Sequence, residues 1–179
     1  MRRKSIRPIT LRRIVEVVNL SLNYGKIESE LLSNTLNIRK RRAKELLNEL
    51  RDMNLLREEK DFFFPTENSK CLIELYEKED WKSFHNLLVE NNFFYRLFTE
   101  TVFKNPSLTK DEILNLLSSK SDLHFNRTTI DILCDWAERL GCIQRNLYNG
   151  HYYAIEELSL IHISEPTRPL YISYAVFCL

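Results

Sequence analysis

The chain has 179 residues, of which 44% are hydrophobic and 28% charged, with only 3 Gly and 5 Pro, so disordered and fibrous classes are excluded. No apolar run approaches the roughly 20 residues of a membrane span and the basic start lacks a cleavable signal pattern, so we expect a cytoplasmic protein with no membrane partner. The net charge of +1 conceals a basic part, because residues 1–60 hold 15 Lys or Arg against 8 Asp or Glu, whereas residues 61–157 hold 10 against 16.

Three helices are predicted in the first part of the chain. Residues 10–24 carry apolar side chains at helical spacing and stop at Gly25, a typical C′ residue. A second helix is predicted over residues 29–36 and a third over residues 39–53. The third helix is expected to bury Ala43, Leu46, Leu47, Leu50 and Met53.

Two short strands are predicted after these helices. They cover residues 55–57 and 61–64, with a charged turn at residues 58–60. The following segment, residues 66–105, is predicted to be helical. Its many aromatic and aliphatic residues are expected to pack against the rest of the chain, or to form a homodimer or protein contact where they are exposed.

The same order of elements returns near the end. Helices are predicted over residues 108–119 and 126–141, the second with an Asn N-cap and a C-terminal Gly. Strands are predicted over residues 142–145 and 151–154. Between them lies Asn149-Gly150, a pair that favours a tight hairpin turn.

An offset of 87 residues aligns the two main helices and predicts a repeated module. Apolar positions coincide along the helix and just beyond its end. The aligned positions are Ile38 with Phe125, Ala43 with Ile130, Leu46 with Leu133, Leu47 with Cys134, Leu50 with Ala137, and Met53 with Leu140.

The stretch LSNTLNIRKRRAKELLNELRDMNLLRE, residues 32–58, resembles the turn, recognition helix and wing of winged helix-turn-helix proteins. HFNRTTIDILCDWAERLGCIQRN, with its Asn-Gly hairpin, is similar. The resemblance implies a mainly α fold with small β-hairpins as wings. It implies two winged-helix modules, residues 1–68 and 106–157, joined by a helical linker over residues 69–105.

On a helical wheel, Lys40, Arg41 and Lys44 lie away from the apolar side of the third helix. In the helix-turn-helix arrangement, the N-terminal residues of this helix lie nearest the base edges of the major groove, where Lys or Arg can reach guanine or phosphate. The candidate DNA-contacting residues are Arg39, Lys40, Arg41, Arg42 and Lys44 on the helix, with Arg57 and Lys60 in the wing.

Cations at the start of a helix oppose its macrodipole, and a bound polyanion would relieve this conflict. The alternative interpretation is a solvated basic helix face. The first residues, MRRKSIR, could follow DNA as a flexible arm or form a disordered tail.

The second module has Arg127, Thr128 and Asp131 where the first has Lys40, Arg41 and Lys44, followed by Asp135. Two carboxylates would repel phosphate. We therefore expect this module to be structural or to bind a protein partner, with Arg127 and Thr128 as auxiliary DNA contacts.

Catalytic, metal and cofactor motifs are not recognisable in the sequence. The three glycines leave no Gly-rich phosphate loop, and His85, His124 and His151 have no partner at a motif spacing. The four cysteines form no CxxC pair, which favours buried free thiols. We therefore do not expect an enzyme, and we predict no metal and no cofactor.

The last segment, residues 158–179, resembles a translated sequencing adapter. LSLIHISEPTR matches one adapter block in frame and ISYAVFCL a second, with Pro169-Leu170-Tyr171 between them. We exclude this segment from inferences on fold and function. We expect the natural protein to continue beyond Glu157.

The sequence thus predicts a DNA-binding protein, a transcriptional regulator that grips duplex DNA through the basic helix of the first module. Two alternatives remain open. Paired winged helices can act as a protein-interaction scaffold, with the acidic second half as the docking surface. The chain can also be the N-terminal targeting part of a longer protein.

Overall fold

The computed structural model describes residues 9–120 and 122–155, which form a mainly helical fold with two small antiparallel hairpins, as predicted. The helices are α1 (Leu11–Tyr24), α2 (Ser29–Leu36), α3 (Lys40–Asp52), α4 (Glu67–Glu77), α5 (Trp81–Asn91), α6 (Phe93–Phe103), α7 (Lys110–Lys120) and α8 (Arg127–Arg139). The strands are β1 (Leu56–Glu59), β2 (Phe62–Pro65), β3 (Ile143–Arg145) and β4 (Tyr152–Ala154).

Local sequence explains where the first three helices begin and end. The Thr10 hydroxyl oxygen accepts a hydrogen bond from the Arg13 amide at 3.2 Å and so caps α1. Gly25 (φ +72°) and Asn37 (φ +52°) end α1 and α2 in the left-handed conformation. The apolar residues predicted to be buried along α3 are all buried.

The first hairpin turns later than predicted. Lys60 and Asp61 form the turn, with φ values of +49° and +66°. Glu58 and Glu59, which the sequence places in the turn, instead pair with Phe63 and Phe62 in the β ladder. A two-residue turn with two positive φ values matches the twist of the strands, and this geometry moves the turn toward Asp61.

The second hairpin has a longer connection than the Asn-Gly pair suggested. Its loop runs from Asn146 to His151, whose carbonyl accepts a hydrogen bond from the Asn146 amide at 2.8 Å. The Asn146 side chain accepts a hydrogen bond from the Tyr148 amide at 2.8 Å. Gly150 has a positive φ and Asn149 does not, so the pair cannot form the type I′ turn.

Each hairpin gains a single bridging residue from the segment before it. Ile27 and Phe63 exchange two backbone hydrogen bonds of 2.8 Å. Leu108 and Tyr152 do the same at 2.8 and 3.1 Å. Two parts of the chain therefore share one order: helix, bridging residue, helix, helix, hairpin.

The offset of 87 residues also relates the backbone geometry of the two parts. It carries the bounds of α3 onto those of α8. Just beyond these helices, Asn54 (φ +55°) and Gly141 (φ +72°) are both left-handed. The next amides, of Leu55 and Cys142, both bond back to a carbonyl in the helix, at 2.9 and 2.8 Å.

The helices α4, α5 and α6 follow the first hairpin, in the segment predicted to be helical. α4 packs against α1, and α6 packs against β4. Phe84, Leu88 and Phe98 are buried among them, whereas Phe93 is 55% exposed. The aromatic stripe of this segment therefore belongs mostly to the core.

One buried hydrogen bond joins the beginning of the described chain to α8. The indole N–H of Trp136, which is 1% exposed, donates to the carbonyl oxygen of Ile9 at 2.8 Å. The two residues are 127 positions apart. The segment before α1 is thus tied to the second of the two repeated parts.

The cysteines follow the prediction only in part. Cys134 and Cys142 are buried free thiols, but Cys71 is exposed on α4, so the prediction of burial is wrong for Cys71. Cys178, the basic arm of residues 1–7 and the adapter-like residues 158–179 lie outside the described residues. Among the described helices, none is both long and apolar enough to cross a membrane.

Candidate nucleic-acid interface

The N-terminal turn of α3 presents three exposed cations, Arg39, Lys40 and Arg41. The buried side of the helix faces the core and directs these side chains to solvent. Arg39 occupies the N-cap position without a capping side-chain hydrogen bond, and the first turn has no acidic residue. By contrast, Asn126 caps α8 by accepting a hydrogen bond from the Thr129 amide at 2.8 Å.

Three of the predicted contact residues form ion pairs at the protein surface. Lys40 lies 3.1 Å from Glu30, and its side chain is 65% exposed. Arg41, 88% exposed, lies 3.3 Å from Glu45, which Arg42 also approaches at 3.5 Å. Exposed pairs of this kind contribute roughly 0–1 kcal/mol. A phosphate group can therefore replace their carboxylates at little cost.

Lys44 is held differently, although the helical wheel placed it beside Lys40. Its ammonium lies 2.8 Å from Glu58 and 3.5 Å from Asp61, both in the first hairpin. It also lies 4.7 Å from the centre of the Phe63 ring. Lys44, which is predicted from the sequence to contact DNA, is therefore bound to the hairpin in the free protein.

Glu58 also contacts the guanidinium group of Arg51, so one carboxylate lies between two cations of α3. These hydrogen bonds, first to Lys44 and then to Arg51, lower the pKa of Glu58 below its ordinary value. The hydrogen bond to Glu58 likewise raises the pKa of Lys44 and that of Arg51. All three groups therefore remain charged at neutral pH.

The two predicted wing residues lie apart from this cluster. Arg57 precedes Glu58 in β1 and so projects from the opposite face of the hairpin. It pairs with Glu59 at 3.1 Å and lies 5.7 Å from the centre of the Phe64 ring. Lys60 is exposed at the hairpin turn.

The excess positive charge of residues 1–61 is unevenly distributed along the chain. Residues 28–61, from the start of α2 to the hairpin turn, contain eight Lys or Arg and eight Asp or Glu. Residues 1–27 contain seven Lys or Arg and one Asp or Glu. The segment from α2 to the hairpin turn is therefore neutral as a whole, and its consecutive cations are concentrated at the start of α3.

At the start of α8, Arg127 and Thr128 are exposed, as their predicted auxiliary role requires. Asp131, the counterpart of Lys44, pairs with Lys110 of α7 at 2.6 Å. Lys110 lies 5.9 Å from the centre of the Tyr152 ring. A lysine thus lies over the buried hairpin aromatic in both parts, but it comes from a different helix in each.

The structure also brings together a buried cluster that sequence spacing did not reveal. His85 Nδ1 lies 2.9 Å from the Tyr95 hydroxyl and 3.0 Å from Cys142 Sγ. All three side chains are fully buried, and burial raises the pKa of Cys142 to about 12. A neutral thiol closed to solvent is a poor nucleophile, so this cluster joins α5, α6 and the start of β3 as a packing element.

Within the described residues, no group of three His, Cys, Asp or Glu side chains is placed to hold a metal ion. Comparison of the chain with protein-family models, curated proteins and solved structures gave no match.

Proposed function

We propose that the chain is a DNA-binding protein that grips duplex DNA through the first turn of α3, in the manner of a transcriptional regulator. In this proposal residues 1–68 and 106–157 are winged-helix modules. The order of helix, bridging residue, helix, helix and hairpin in both parts supports this arrangement.

The observation that carries the proposal is the set of three exposed cations at a helix start without an acid or a side-chain cap. Backbone N–H groups at a helix N-terminus and the positive end of its dipole both favour an anion. Cations placed there are unfavourable in the free protein, and a DNA phosphate would offset that cost. Arg39, Lys40 and Arg41 are the proposed contacts, with Arg42 beside them.

The three side chains can also reach bases. In a helix-turn-helix arrangement the first turn of the second helix lies nearest the floor of the major groove. Lys and Arg there can donate hydrogen bonds to guanine O6 and N7. Lys44, one turn further along, is engaged by the hairpin in the free protein and has a secondary role.

The proposal is tested by titrating a labelled duplex of about 25 base pairs with the whole chain at several salt concentrations. We expect the logarithm of the binding constant to fall linearly with the logarithm of salt concentration, because each neutralised phosphate releases counterions. No detectable binding at about 50 mM salt would refute the proposed function.

A protein-interaction scaffold is the second candidate, and the loop of the second hairpin favours it. Leu147 and Tyr148 are 88% and 101% exposed at its tip. The side chain of Asn149 accepts a hydrogen bond from the His151 amide at 2.9 Å and donates one to the Tyr153 hydroxyl at 3.2 Å. Tyrosine side chains such as that of Tyr148 are frequent anchors at protein interfaces.

If the chain is a scaffold, we expect it to have a stable stoichiometric protein partner and not to bind duplex DNA. In that case Leu147→Ser together with Tyr148→Ser should release the partner in pull-downs. Tyr24→Ser, at an exposed tyrosine of α1, is the control and should retain it. Retention of the partner by the double variant would exclude the loop as its contact.

A further inference from the structure

Glu58 is the point at which the first hairpin meets the cations of α3. One of its carboxylate oxygens accepts a hydrogen bond from Lys44 at 2.8 Å, and the other accepts one from Arg51. The three side chains are between 25% and 39% exposed. The cluster is therefore open to solvent and within reach of a polyanion lying along α3.

The charges of this cluster distinguish the first part from the second. The offset of 87 residues places Asp131 at the position of Lys44, Glu138 at that of Arg51, and Arg145 at that of Glu58. Each sign is reversed, so a hairpin carboxylate flanked by two helix cations is specific to the part proposed to bind DNA.

We propose that Glu58 competes with DNA phosphates for Lys44 and Arg51, so that this one carboxylate limits how strongly α3 binds DNA. The inference rests on the proposed function. In the free protein, Glu58 engages Lys44 and Arg51, which follow the first turn of α3, and leaves that turn as the strongest contact. Removing its charge leaves Lys44 with Asp61 at 3.5 Å and Arg51 with the exposed Asp52 at 3.1 Å, so both cations become more available to phosphate.

The test compares duplex DNA binding by the wild-type chain and Glu58→Gln across a range of salt concentrations. The variant should bind roughly tenfold more tightly at about 100 mM salt, with a salt slope steeper by about one to two, because each added phosphate contact contributes about 0.9 to the slope. The gain should disappear when Lys44→Ala and Arg51→Ala are also present.

Glu67→Gln is the matched control, because it removes the same charge and frees one cation, Lys70, on α4. It should leave affinity and slope close to wild type. Equal gains in Glu58→Gln and Glu67→Gln would reduce the effect to net charge and overturn the inference. A loss of affinity in Glu58→Gln would overturn it as well.

Asp61→Asn provides a milder variant at a side chain that is 94% exposed, so folding is not at risk. It removes the more distant partner of Lys44 and should give a smaller gain in the same direction. Circular dichroism verifies the fold of each variant. Failure of the wild-type chain to bind DNA refutes the proposed function, whereas wild-type binding without a gain in Glu58→Gln refutes only the role of Glu58.

Discussion

At the scale of single residues, identical side chains one helical turn apart have different partners. Lys40 forms an exposed pair with Glu30 of α2, whereas Lys44 is held by Glu58 and Asp61 of the hairpin. Helical periodicity placed both lysines correctly away from the core. It could not predict the carboxylates opposite them, because these come from other elements.

Trp136 gives a prediction at the same scale. Trp136→Phe leaves the buried carbonyl of Ile9 without its donor, and an unsatisfied buried polar group costs about 1–3 kcal/mol. We expect urea unfolding to show a loss of stability in this range. Trp81→Phe is the control, because Trp81 is 36% exposed and its substitution should change stability little. Equal effects of the two substitutions would contradict the structural role of the Trp136–Ile9 bond.

At the scale of elements, the helices were predictable and the turns were not. Apolar spacing and end residues such as Gly25 and Asn126 set the helix bounds to within one or two residues over most of the chain. The hairpin connections differ from the predicted ones. The Asn146 side chain organises the second connection, and positive φ values at Lys60 and Asp61 shorten the first. The residue preferences for such turn conformations are too weak to be recognised from a pair of residues in the sequence.

The exit of α8 gives the element-scale prediction. Gly141 has φ +72°, and a Cβ added there would meet no atom within 4 Å. Gly141→Ala should therefore lower stability only through backbone strain, by about 1–2 kcal/mol. Gly141→Asn should cost less, because Asn tolerates this conformation and Asn54 adopts it at the equivalent position of the first part. Thermal unfolding of both variants measures the difference, and equal losses would contradict this account.

At the scale of the whole molecule, the recurring order of elements was predictable from the sequence, but the contacts between the two parts were not. The offset of 87 residues relates helix bounds and exit geometry, because apolar spacing sets the bounds, and Asn54 and Gly141 both tolerate the positive φ at the exit. The Trp136–Ile9 bond and the His85–Cys142 contact join residues 127 and 57 positions apart. No periodic pattern marks such pairs, so only the folded structure reveals them.

The distribution of charge over the whole molecule allows a specific DNA contact to be distinguished from general electrostatic attraction. Exposed cations lie at the first turn of α3, and others, Lys70, Lys78 and Lys104, lie on α4 or just beyond α4 and α6. A chain attracted to DNA only by its overall charge would respond equally to losing either set. A chain that binds through α3 would respond to only one of them.

The most direct test of the central proposal compares two triple alanine variants in the same duplex titration. One removes Arg39, Lys40 and Arg41, and the other removes the exposed Lys70, Lys78 and Lys104. The salt slope is the slope of the logarithm of the binding constant against the logarithm of salt concentration. We predict that its magnitude falls by about two to three in the first variant, because each lost phosphate contact removes about 0.9, and that it is unchanged in the second. Equal slopes for the two variants, or an unchanged slope for the first, would contradict DNA binding through α3.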